Sequence, residues 1–203
     1  MPDLLKRRLQ QCSDLKSVLD RALWRGLEVT GTVRGNIQLM DWTTGDLTIE
    51  AQRGFNEEFL KFFRRVTAEN GSACARAIRE RDSIVVGDVL RDWEFAPYRT
   101  IALESGFRAV QSTPLISSSG AFVGVLSTHF AAAHRPSERE MRVLKELAQL
   151  TANAIIRLRA GVRGPGRSRM IDFESVGKQI SRGYGAVADS YELLRQVGLR
   201  FNR

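Results

Sequence analysis

Apolar side chains recur at steps of three and four at Leu5, Leu9, Cys12, Leu15, Leu19 and Leu23. That period predicts an amphipathic helix over residues 3–27. Lys6, Arg7, Asp14, Asp20 and Arg21 fall on its opposite face, and Gly26 and Gly31 bracket its end. The period then switches to two. Residues 35–41 and 47–52 alternate polar and apolar around Thr43-Thr44-Gly45-Asp46, which predicts a hairpin. Ile37 and Leu39 share one face of it, while Asn36, Gln38 and Met40 share the other.

Short elements follow. Asn56 precedes Glu57, Glu58, Phe59, Leu60, Phe62 and Phe63, a brief helix with acidic groups in its first turn. Ser72 is positioned to cap a second one over residues 73–80. Ser83 to Val86 reads as a short strand, residues 88–97 as a loop, and residues 98–104 as a helical turn ended by Gly106. Two strands are expected at 107–115 and 121–130, joined by the serine-glycine loop 117–120. Ser137 then opens a long helix striped by Leu144, Leu147, Thr151, Ile155 and Leu158, and Gly161 to Gly166 closes it. Residues 172–198 have helical periodicity weakened by Gly177, Gly183 and Gly185.

Hairpin links between strands predict a mainly antiparallel sheet. The long N- and C-terminal helices are expected on one face, and the short helices and loops on the other, where they form a pocket. The fold class is α+β. Residues 1–28 are read as an N-terminal helix on the core, 29–160 as the core with its closing helix, and 161–203 as a basic extension, partly helical or mobile.

Composition narrows the function. The chain has 203 residues and a formal charge of +8. Residues 29–156 hold 15 basic and 15 acidic groups, whereas residues 157–203 hold ten basic and four acidic. The excess is on the flanks, so a basic nucleic-acid groove on the core is not expected. Two cysteines 62 positions apart make neither a disulfide framework nor a zinc signature, which suits a reducing cytoplasm. No apolar run reaches the roughly 20 residues of a membrane span.

Gly35-Asn36-Ile37-Gln38-Leu39, Thr44-Gly45-Asp46-Leu47 and Gln52-Arg53-Gly54-Phe55 together resemble the opening hairpin of GAF domains. Later blocks continue the resemblance: Gly71 to Ala77, Val86-Gly87-Asp88-Val89, Arg108 to Leu115, Gly124 to Phe130, and His134 to Glu140 leading into the closing helix. The match covers roughly residues 15–160 and is specific as an ordered set. It implies a small-molecule sensing or scaffolding module of the bacterial kind found ahead of sensor histidine kinases. No nucleotide-binding box or phospho-acceptor helix of a kinase is found here. Output is therefore expected through a homodimer paired by the terminal helices, a partner protein or the C-terminal segment.

Asn36, Gln38, Cys74, Asp88, Phe95, Tyr98, Gln111 and Thr113 are the candidate ligand-binding residues, since a few polar groups on an apolar wall orient a small ligand. The ligand is an unidentified small molecule, and no cofactor is assigned. Cys74 lies one turn into a helix, where a thiolate is favoured. Bilin-binding members carry His beside the attaching Cys, however, and Ala75 stands here, so a buried inert thiol is expected. His129 and His134 lack a third ligand cluster, and His129 is read as a strand-end residue bonded to backbone. No catalytic constellation and no cyclic-nucleotide signature is found. A sensor is therefore expected. The alternatives are a ligand-free scaffold acting through the basic extension and, third, a Cys74 redox enzyme.

Overall fold

The structure, a computed structural model, describes residues 7–161. The element order is α1 (Leu15–Thr30), β1 (Arg34–Met40), β2 (Leu47–Arg53), α2 (Glu57–Phe62), β3 (Arg65–Val66), α3 (Ala73–Glu80), β4 (Ile84–Val86), a 3-10 turn (Ala96–Tyr98), α4 (Arg99–Glu104), β5 (Ala109–Ile116), β6 (Phe122–Phe130) and α5 (Glu138–Gly161). The strands form one antiparallel sheet in the order β3-β2-β1-β6-β5-β4. The expected mixed antiparallel fold is the observed one. The two-residue strand β3 is added at an edge.

The first helix differs from its sequence reading. Apolar spacing continues through residue 12, but the Asp14 side chain accepts from the Ser17 N–H at 2.8 Å and starts α1 at Leu15. A capping carboxylate with extended backbone interrupts a stripe that periodicity alone carries across. Leu9 and Cys12 still reach the same core, and Arg157 donates to the Cys12 carbonyl at 3.0 Å. The far end also moves, because Gly26 is buried inside α1 against Leu126 and Gly31 forms the C-terminal cap. At α5, Ser137 and Glu140 form the reciprocal pair of bonds that opens a helix, at 2.7 and 3.3 Å. The segments 1–6 and 162–203, including the expected basic extension, lie outside the described residues.

Two apolar cores flank the sheet. On one side α1 and α5 pack over Ile37, Leu39, Leu115, Val123 and Leu126. On the other side α2, α3 and α4 pack with Met40, Leu47, Val110, Phe122 and Val125. Strands β5 and β6 are therefore buried on both faces. Among the described residues no helix is long and apolar enough to cross a membrane.

Candidate functional site

Alternation along β1 places Arg34, Asn36, Gln38 and Met40 on the face opposite Ile37 and Leu39. In the β1–β6 register, Arg34 stands opposite His129, Asn36 opposite Ser127, and Gln38 opposite Val125. On β5, Ser112 pairs with Ser127 and Val110 with His129. A polar stripe thus crosses the middle of an otherwise apolar wall. A bulge between Ile37 and Gln38 on the β2 side adds local twist beside it.

Short elements roof this stripe. Ser72 caps α3 and sets Cys74 on the sheet, where its Sγ lies 3.4 Å from Ser127 Oγ and 3.6 Å from Ser112 Oγ. The two serine hydroxyls are 2.8 Å apart. Burial pushes the Cys74 thiol up, so at neutral pH it is a thiol held in a hydroxyl cluster, without the thiolate character of a reactive cysteine. Asn56 caps α2, which presents Phe59 to the sheet, with Phe63 just past its end. His129 is enclosed by edge-to-face contacts with Phe55, Phe107 and Phe59, at centroid distances of 4.8, 4.7 and 5.8 Å.

Between wall and roof lies a cavity of about 20 Å³, lined by Asn36, Gln38, Phe59, Phe63, Ser72, Ala73, Cys74, Phe95, Phe107, Val110 and His129. That volume admits about one water molecule. Its polar lining is under-satisfied: among the described residues Asn36 Oδ1, both amide atoms of Gln38 and His129 Nδ1 are buried without a hydrogen-bond partner. Gln38 is 0% exposed. Each such group carries a desolvation cost of about 1–3 kcal/mol.

Four of the eight sequence candidates, Asn36, Gln38, Cys74 and Phe95, meet at this cavity. Tyr98 stands behind it, with its ring centroid 5.5 Å from that of Phe95 and 6.0 Å from that of Phe63. Gln111 and Thr113 are on the other face of β5. Gln111 Nε2 lies 3.1 Å from Met141 Sδ of α5, and Thr113 borders a groove with Lys145 and Gln149. The cavity parity of β5 belongs to Val110 and Ser112, and a strand buried on both faces offers no alternation from which to read this. Asp88 lies in a separate open groove. There Arg108 donates to it at 2.7 Å and, together with the Leu90 N–H, holds its carboxyl below the usual range.

Sequence reasoning passed over Phe59, Phe63, Phe107 and above all His129 as site residues. Among the described residues His129 Nδ1 makes no bond to backbone, and aromatic rings surround the imidazole instead. The available signal was parity, because His129 follows Ser127 by two. Among the described residues no group of three His, Cys, Asp or Glu is arranged to hold a metal ion.

Burial, reinforced by the nearby Arg34 charge, lowers the His129 pKa from 6.5 to about 3. The folded protein keeps the imidazole neutral while the unfolded chain takes up a proton. This contribution to stability is therefore complete above pH 6.5 and is lost as pH falls toward 3. Over that window a slope of up to about 1.4 kcal/mol per pH unit is expected in denaturant titrations, flattened by His129→Gln. An unchanged slope in the variant would contradict it.

The architecture is that of an antiparallel sheet with helices on both faces and a small cavity of polar and aromatic side chains on one side. The chain belongs to the GAF domain family, whose profile matches residues 12–156. Solved structures agree on the fold. A GAF domain from a phosphoenolpyruvate-protein phosphotransferase of Coxiella burnetii superposes with a TM-score of 0.65 at 18% identity, covering 78% of this chain and 92% of that one. The free methionine-R-sulfoxide reductase of Neisseria meningitidis, solved in complex with its substrate, gives 0.63 at 20%, covering 78% and 88%. A domain of a putative two-component sensor histidine kinase from Sinorhizobium meliloti 1021 gives 0.59 at 20%, covering 72% and 94%. No curated protein is significantly similar in sequence.

Proposed function

We propose that this protein is a cytoplasmic sensory GAF domain that binds a small molecule at the Asn36–Gln38–His129 cavity and signals through a second copy or a partner protein. The observation that carries the reading is the set of buried, unpartnered polar atoms on those three residues. A marginally stable protein retains several such costs where a ligand or ordered water satisfies them. The cavity is far below the roughly 300 Å³ of a formed ligand site, so in this reading its walls must move apart to admit a ligand. Phe59, Phe63 and Phe95 come from a six-residue helix, its end and a loop. Those short segments are the wall that yields to a ligand.

Transmission follows from β1. Asn36 and Gln38 face the cavity, while Ile37 and Leu39 sit in the core beneath α1 and α5. A ligand that shifts β1 therefore shifts the seat of both long helices, whose outer faces are the dimer surface in this reading.

A ligand-free scaffold is the second reading, and the small cavity favours it. Native mass spectrometry of the full chain separates the two. A dimer carrying a discrete noncovalent mass, released on unfolding, is the expected result. A bare protein whose melting temperature no metabolite raises would leave the scaffold.

A further inference from the structure

Arg34 extends the polar row of β1 beyond Asn36 and Gln38. Three half-buried arginines have oxygen partners: Arg108 reaches Asp88 at 2.7 Å, Arg76 reaches Asp92 at 2.8 Å, and Arg99 donates to the carbonyls of Val89 and Asp92 at 2.9 and 3.0 Å, while Arg159 lies over the Trp42 ring. Arg34 is half-buried, its Nε is fully enclosed without an acceptor, and no carboxylate lies within ion-pair distance among the described residues. Its guanidinium lies across Gly106, where an added Cβ would come within 2.9 Å of Nη2. That residue immediately precedes Phe107 of the aromatic enclosure. Arg34 does not itself line the cavity, but it is the direct neighbour, across the β1–β6 pair, of His129, which does.

A partly buried cation without a counter-charge is costly, and a guanidinium fork matches an oxyanion through two parallel hydrogen bonds. The remaining groups of the row are neutral hydrogen-bonding functions: the Asn36 amide oxygen, the complete Gln38 amide and His129 Nδ1. Along a strand, Asn36 lies about 7 Å from Arg34 and Gln38 about 14 Å. We infer that the ligand is a small oxyanion, a carboxylate or phosphate, whose charged end is held by Arg34 and whose uncharged polar end is read by Asn36, His129 and Gln38. This inference rests on the sensing function proposed above and adds the chemical class of its ligand.

Thermal unfolding of the full chain tests it with matched probes at fixed ionic strength. Succinamate carries a carboxylate and an amide, succinamide is its uncharged counterpart, and inorganic phosphate distinguishes the phosphate source. At about 10 mM, succinamate or phosphate is expected to raise the melting temperature by about 3 °C, with succinamide inactive. Arg34→Met should lose the response and Arg34→Lys should retain part of it. If Arg34→Met does not fold, the comparison of wild type with Arg34→Lys and of succinamate with succinamide carries the test. Equal shifts from succinamide and succinamate, in wild type and in Arg34→Met alike, would overturn the oxyanion while leaving a sensor of neutral molecules. No shift from any of the three would overturn the oxyanion. If a native mass spectrum then also shows bare protein, the sensing function falls with it.

Discussion

Gly124→Val is expected to be among the most destabilising single substitutions in the chain. Gly124 lies in β6 opposite Leu39, and a Cβ there would come within 2.1 Å of the Gln38 carbonyl oxygen and 3.1 Å of its carbon. The obstacle is backbone, so no side-chain rotation relieves it. The chain must separate β1 from β6, the two strands at the centre of the sheet. Overpacking usually costs about 1–3 kcal/mol, and a collision with a ladder carbonyl belongs at or above the top of that range. Against a total stability of about 5–15 kcal/mol, that loss shifts a urea midpoint visibly or prevents folding. Because Gln38 carries the clash, any ligand response should vanish as well. A midpoint within about 0.5 kcal/mol of wild type would refute the argument.

The second large effect runs the other way. Gln38→Met keeps the length of the side chain and removes both unpartnered amide atoms from a fully buried site. Removing a buried, unsatisfied polar group recovers its desolvation cost, so the empty protein should gain about 1–3 kcal/mol in denaturant unfolding. The same variant should lose the bound mass and the thermal response of the wild type. More stability with less function is the expected signature of a binding group held unsatisfied until a ligand arrives. A loss of stability of similar size would mean that the amide is already satisfied in the closed protein, and the empty-site argument would fail at that residue.

These predictions depend on facts of unequal visibility in the sequence. The β1–β2 hairpin was plain, because alternation and the Thr43–Asp46 turn agree. The turn closes as expected, with Gly45 N–H bonded to the Asp41 carbonyl at 2.7 Å. That Asn36 and Gln38 face away from the long helices was legible for the same reason. Ile37 and Leu39 between them name the buried face, so the polar pair must look the other way. Gln111 and Thr113 were not legible. β5 packs against helices on both sides, and its residues are buried whichever way they point. The pairing of Arg34 with His129 was not legible either, because only the cross-strand register makes them neighbours.

What the sequence by itself determined is the family, the order and type of the main elements, and the cavity-facing parity of β1. Local periodicity, caps and turn residues encode these within a few positions of chain. What only the tertiary structure decided is where the helix stripe is cut at Asp14, which face of β5 meets the cavity, and that His129 sits neutral among three phenylalanines opposite Arg34. Phe55, Phe107 and His129 are separated by tens of residues. Their contact is set by strand register and by the short helices that roof the sheet, and those long-range pairings have no local pattern to announce them.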